Sequence, residues 1–349
     1  MTAGGKSLTE APGSLKEAVD WVLCMSGYDD QGDYLNGLQA IQALAQQLKS
    51  SLSNVIVEAV NVNTVFQGDE KGHGNLSSNA PINSVASGLK ELIGYSSGRL
   101  DTQNGIGKPN HYVPSYDGQP PVTQNDNRVV NILLGTIPLL FFGLGFIYWK
   151  CRGGWKNLTL SSSPLKDFLF NVGFPIKQLN EEKDGTKVAG MFNSFDEFRY
   201  VDSSSTFYDF LKKVEKQTKQ ELRNVNNVPL GALYLFTYQY LKTKNLINGS
   251  TTDNAIPTNE NDLSTLLKQI GEAVKNPQLG SLTTLSKAYS TLSTAITTAI
   301  NIPDPVEESS VVGPVSGTLV TAGLLGGGSA VYFNLGGAGT FLKGILRIP

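Results

Sequence analysis

Cysteine is nearly absent from this chain, and with it go the common ways of stapling a fold from outside its hydrophobic core. Among 349 residues there are 2 cysteines, Cys24 and Cys151, and 2 histidines, His73 and His111. Two cysteines are too few for a disulfide framework or a cysteine zinc site, so one bridge or two free thiols remain, and free thiols are expected. Neither histidine has a metal-ligand spacing. His73 lies in GDEKGHGNLSSN and His111 in GIGKPNHYVPSYDGQPP, both loop-like by composition. Charge imbalance is missing as well. With 28 basic against 30 acidic residues, a formal net charge of -2, there is no electrostatic footprint for nucleic acid.

Catalytic motifs are also lacking. Gly105-Ile-Gly107-Lys108 has neither the spacing of a phosphate-binding loop nor its following Ser or Thr, and Gly323–Gly328 contains no lysine. No G-x-S-x-G elbow occurs. The acid pairs Asp29/Asp30, Glu181/Glu182 and Asp196/Glu197 are adjacent in sequence and read as solvated surface. No catalytic, cofactor or metal residue is therefore assigned, and no enzymatic activity is expected. The N-terminus, MTAGGKSLTEAPGSLKEAVDWVL, has no apolar core of the kind a cleaved signal peptide requires.

What is present is length without charge, in two places. Ser309–Leu342 contains no charged residue, follows Asp304, Glu307 and Glu308, and leads into Lys343 and Arg347. A membrane helix needs about 20 mainly apolar residues, and Val315–Leu342 has room for it. Basic residues favour the cytoplasmic side, which would leave the long N-terminal part outside. The glycines weaken a helix in water but are frequent in lipid. Gly313/Gly317 and Gly323/Gly327 have the small-xxx-small spacing that lets a partner helix approach. Val129–Trp149, bounded by Arg128 and Lys150, is the second run. Asn131, Pro138 and basic flanks on both sides leave it open to two readings, a span or the buried centre of a helical domain.

Elsewhere the periodicity is helical. Ser14-Leu-Lys-Glu17 has the capping-box pattern, and Leu15, Val19, Val22 and Leu23 predict a helix over Ser14–Met25. Tyr34–Ser53, with Leu35, Leu38, Ile41, Leu44, Ala45 and Leu48 on one face, and Ile82–Gly94 predict two more. Gln67–Pro81 and Ser96–Asn127 read as polar loops, the second unusually long for a compact domain. Phe207–Asn224 follows Thr206 and buries Phe207, Phe210, Leu211 and Val214, and Pro229–Asn245 carries aromatic residues all round, as a core helix does. After a polar linker, Ile247–Asp262, the leucines from Leu263 predict a helix ending near Pro277, and Leu282 to Ile300 another over Leu279–Ile302. The fold class is all-α. Asn75-Leu-Ser77, Asn157-Leu-Thr159 and Asn248-Gly-Ser250 fit the N-glycosylation pattern, which arises readily by chance in an Asn- and Ser-rich chain.

Four blocks, taken in order, carry a family resemblance: SLTEAPGSLKEAVDWVL at Ser7–Leu23, LGFIYWKCRGGWKNLTLSSSPLKDFLFNVGF at Leu144–Phe174, QLNEEKDGTKVAGMFNSFDEF at Gln178–Phe198, and GPVSGTLVTAGLLGGGSAVYFNLGGAGTFLKGILRI at Gly313–Ile348. Together they resemble the variant erythrocyte surface antigen family of Babesia parasites, on its alpha-subunit side. The resemblance implies export to the surface of the infected red cell without an ordinary signal peptide, and anchoring by a C-terminal helix. It also implies antigenic variation, immune evasion, adhesion of infected cells to endothelium, and pairing with a beta-type subunit. Alpha-type members carry a cysteine-rich region after the N-terminal block. The stretch from Tyr95 to Arg128 has no cysteine, a departure from that pattern which fits a truncated, short-form or non-adhesive relative. For Val129–Trp149 the resemblance implies a buried place in the extracellular helical domain, with Trp149, Cys151 and Trp155 as packing residues.

The expected organisation follows. Residues 1–128 form an N-terminal helical region with long polar loops, and 129–308 a helical core continuing the same ectodomain. Residues 309–342 form a transmembrane segment, and 343–349 a short cytoplasmic tail. Expected partners are membrane lipid, a related beta-type subunit, a host endothelial receptor and host antibodies, with no nucleic acid. The location is the infected erythrocyte membrane, single-pass, with the N-terminal part extracellular. Two other classes compete: a two-span membrane protein of pore or transporter-assembly type, and an intracellular helical scaffold.

Overall fold

The second uncharged run becomes the axis around which the other helices assemble. The computed structural model describes residues 5–25, 115–116, 127–159, 164–174, 184–190, 192, 195–199, 201, 206–221, 230–247 and 255–302. The helices expected at Tyr34–Ser53 and Ile82–Gly94, the loop Gln67–Pro81 and all of Ser309–Leu342 lie outside the described residues. Contacts divide the chain into Met1–Asp304 and Pro305–Pro349, and every described residue belongs to the first unit. Among the described residues there are helices and two isolated β-bridges but no strand, so the described part of the chain is all-α.

The elements are α1 (Leu15–Met25), α2 (Asn127–Arg152), α3 (Pro164–Asn171), α4 (Gly185–Gly190), α5 (Asp196–Arg199), α6 (Phe207–Glu221), α7 (Leu230–Thr243), α8 (Glu260–Ala273) and α9 (Thr283–Ile300), with a 3₁₀ turn at Pro277–Leu279 before α9. α2 is covered by α1, α4, α6, α7 and α9. Its most apolar window has a mean hydropathy of 2.1, and 94% of that window is buried by the protein itself. α6 and α8 are two-faced. On α6, Phe207, Phe210, Leu211 and Val214 turn inward while Lys212, Lys213, Lys216 and Lys219 are exposed. α8 and α9 pack on each other; Leu263, Leu266 and Ile270 on α8 and Leu285, Tyr289 and Leu292 on α9 are buried, with Lys268, Glu272 and Lys287 exposed. Apolar stripes facing in and charged stripes facing water are the pattern of a helical domain surrounded by solvent.

Pro138 sits inside α2, where it lacks the N–H that would bond the Leu134 carbonyl. The neighbouring turn is repaired from outside. Tyr289 on α9 donates its hydroxyl to the Gly135 carbonyl at 2.6 Å, and the Leu139 N–H donates to the Tyr289 hydroxyl oxygen. A side chain inserted into the ladder is one of the few ways a buried helix accommodates a proline. At the other end of α2 an aromatic cluster closes the core. Phe146 contacts Trp149, Trp155, Phe168 and Phe207, and Tyr148 contacts Phe192, Phe198 and Phe210. Trp155 and Cys151 are fully buried and Trp149 partly so.

Helix ends follow local chemistry. Ser14 Oγ accepts from the Glu17 N–H at 3.1 Å, but the Glu17 carboxylate reaches the Gly13 N–H at 2.7 Å rather than that of Ser14, a capping box displaced by one residue. Thr206 and Asp209 cap α6. α7 ends in a Schellman turn, with Asn245 at φ 54, the Leu246 N–H on the Leu241 carbonyl and the Asn245 N–H on the Lys242 carbonyl. Three boundaries differ from the sequence expectation. α8 starts at Glu260, within the expected linker, because the Asn259 side chain accepts from the Asp262 N–H at 2.9 Å. It ends at Ala273, short of Pro277. The last helix does not begin at Leu279: Gly280 at φ 80 and Ser281 at φ 56 turn the chain first. α3, α4 and α5 were not foreseen.

Candidate functional site

The densest polar cluster sits on α1, where a purely apolar inner face was expected. Lys16 and Asp20, one turn apart, form an ion pair at 2.5 Å with side chains 8% and 0% exposed. Residues 115–116, from the expected polar loop Ser96–Asn127, close over it. The Ser115 N–H donates to Asp20 Oδ2 at 3.0 Å, Lys16 Nζ donates to Ser115 Oγ at 3.0 Å, and the Lys6 N–H donates to the Ser115 carbonyl at 2.8 Å. Lys6 and Tyr116 form a parallel bridge. Tyr116 is buried, and its hydroxyl donates to the Glu10 carbonyl at 3.2 Å. A second ion pair, Lys6 to Glu17 at 2.6 Å, flanks the first and is partly exposed.

The electrostatics follow burial. Desolvation pushes the Asp20 carboxyl above its usual range, opposed by the Lys16 charge and by the bonds from Lys16 and Ser115. The Tyr116 phenol is pushed up by burial and by the charges of Glu17, Asp20 and Glu10. Asp20 Oδ1 has no partner among the described residues. A buried carboxylate beside a lysine resembles an acid–base pair, but both groups are shut off from solvent by residues 115–116. The cluster acts as a tie between distant segments.

Other polar groups are placed as follows. Glu197, expected on the solvated surface, is buried and accepts from the Gly231 N–H at 3.3 Å; its carboxylate sits at the start of α7, where the helix dipole favours negative charge. Lys150 is buried, with its ammonium 5.1 Å and 5.5 Å from the Trp149 and Trp155 ring centres, a cation–π arrangement. Arg152 donates to the Tyr148 hydroxyl at 2.7 Å and to the Arg199 carbonyl at 3.0 Å. Cys24 and Cys151 are not joined in a disulfide; burial pushes the Cys151 thiol up, and Asp184 adds to the effect, so it packs as a small hydrophobe. Among the described residues no three His, Cys, Asp or Glu converge as metal ligands. Asn157 and Thr159 are exposed in the turn after α2. His73, His111, Asn75, Asn248, Asp29/Asp30, Glu181/Glu182, Gly105–Lys108 and Gly323–Gly328 lie outside the described residues.

Sequence reasoning missed both buried carboxylates. An i,i+4 Lys–Asp pair looks like any surface pair on a helix, and what buries it lies 95 residues away along the chain. No protein-family model, curated protein or solved structure matches this chain.

Proposed function

We propose that the chain is a membrane-anchored variant surface antigen of infected erythrocytes, a short alpha-type relative of the variant erythrocyte surface antigen family of Babesia. In this reading the helical unit is the ectodomain and Val315–Leu342 is the single span. The partners are membrane lipid, a beta-type subunit, host antibodies and an endothelial receptor. Its work is antigenic variation and adhesion, without catalysis. The four sequence blocks support the family. The single-pass topology is supported by one observation above others: α2, the only described helix apolar enough to cross a bilayer, is packed by α1, α4, α6, α7 and α9, and 94% of its most apolar window is buried by the protein itself. That leaves the acid-flanked, base-terminated run Ser309–Leu342 as the anchor.

The competing two-span reading draws on the hydropathy of α2, and topology mapping separates the two. Engineered glycosylation acceptors placed before Arg128 and after Lys150, in a chain inserted into microsomes, should be modified on the same side of the membrane. Modification of one set alone would overturn the single-pass topology and favour a pore or transporter-assembly protein.

A further inference from the structure

α6 carries its lysines in helical register. Lys212, Lys216 and Lys219 fall at i, i+4 and i+7, which sets them along one face, about 10.5 Å from first to last at ~1.5 Å per residue. Lys213 borders the stripe, and all four are exposed. On the opposite face Phe207 and Phe210 are held in the aromatic cluster at the end of α2, against Phe146 and Tyr148, so the stripe stands on a fixed base. Lys219 pairs with Glu215 at 3.0 Å, both partly exposed, an ion pair of the kind worth little in water. Lys212, Lys213 and Lys216 have no ion-pair partner among the described residues.

Four ammonium groups gathered on one face of a chain whose formal net charge is -2 complement an anionic partner, and what the face lacks narrows its class. The large hydrophobic side chain exposed among the described residues is Phe170, on α3. On α6 Tyr208 is only half-exposed and its hydroxyl oxygen is buried. Nucleic-acid bases therefore have no open aromatic to stack on, and a protein partner meets no aromatic anchor on a face rich in lysine, a residue depleted at interface centres. α6 contains no arginine for bidentate phosphate recognition. A helix lying on a membrane sinks its apolar face among the headgroups, but here that face is spent on the core. A thin hydrophilic polyanion needs none of these features, because point charges on long stems can follow its charged groups one by one. We infer that Lys212, Lys216 and Lys219, flanked by Lys213, form a docking face for a linear sulfated polysaccharide, whose sulfates stay ionised at any physiological pH. Glu215 competes for Lys219 until a sulfate displaces it. The face belongs to the described helices wherever the protein resides and does not depend on the surface-antigen reading.

The probe is heparin, offered to the full chain held in neutral phosphatidylcholine nanodiscs, with desulfated heparin, poly-glutamate, single-stranded DNA and phosphatidylserine vesicles offered separately. Heparin should bind, and its affinity should fall steeply as salt rises, because each lysine contact releases condensed counterions. Replacing Lys212, Lys216 and Lys219 together by Gln, a comparable helix former, should weaken heparin binding by about tenfold or more and leave the unfolding midpoint unchanged. The same charge removed elsewhere, by Lys268→Gln, Lys275→Gln and Lys287→Gln at exposed positions, should weaken it by less than about twofold, an effect of net charge alone. Glu215→Gln should tighten it. Absence of heparin binding, or equal losses in the two triple variants, overturns the inference. So does binding of desulfated heparin, poly-glutamate, DNA or vesicles that equals heparin's and is lost with the same three lysines.

Discussion

Tyr289 crosses from α9 to α2 at the turn that Pro138 weakens, and its hydroxyl is the partner of a carbonyl in the middle of the core. Removing the oxygen while keeping the ring should leave the Gly135 carbonyl short of a bond in a fully buried site, so Tyr289→Phe should cost about 1–3 kcal/mol, read from urea unfolding. An unchanged midpoint would mean that the turn closes on itself and the hydroxyl is dispensable. Asp20 gives a second prediction, one of sign. Burial raises its carboxyl above the usual value, so the folded chain takes up the proton more readily than the unfolded one. Its titration therefore favours folding below the ordinary carboxylate value, ~3.9, and that contribution fades as pH rises through the elevated folded value. The stability of the native protein relative to Asp20→Asn should fall between pH 4 and pH 7. A rise over that range would mean that Lys16 holds the carboxylate ionised more strongly than burial opposes it.

At the scale of elements, α2 is the keystone, because five other helices are shaped against it. Phe142 is fully buried, edge-on to Phe141 and to Tyr234 of α7 at centroid distances of 5.3 Å and 5.0 Å. Phe142→Ala should cost about 3–5 kcal/mol through the cavity it opens, whereas a lipid-facing position would lose far less; denaturant unfolding in detergent distinguishes the two. The helices legible in the sequence are those with a repeating apolar period or a long apolar run: α1, α2, α6, α7, α8 and α9. α3 had a readable pattern, Leu165, Phe168 and Leu169 after Pro164, though only eight residues carry it. α4 has none, because what fixes it is tertiary. Gly185 packs so close to Trp155 that any side chain there would overlap the Trp155 carbonyl. The buried ties were illegible for the same reason, since the partners of Asp20 and Glu197 lie 95 and 34 residues away. Sequence periodicity shows which face of a helix is apolar, and it is silent about which distant segment covers a polar one.

For the whole molecule, the only described helix apolar enough to cross a bilayer is buried by the other helices, which supports the proposed attachment through the C-terminal run. Deleting Ser310–Pro349 should convert a chain that stays with membranes in alkaline carbonate into one recovered in the supernatant. A truncated chain that still sediments with membranes would return α2 to candidacy as a span. The central claim is display on the infected red cell, and its most direct test is antibody raised to residues 96–114, applied to infected erythrocytes with and without permeabilisation. Staining of intact cells is predicted. Staining seen only after permeabilisation would contradict the surface-antigen account and favour an intracellular helical scaffold.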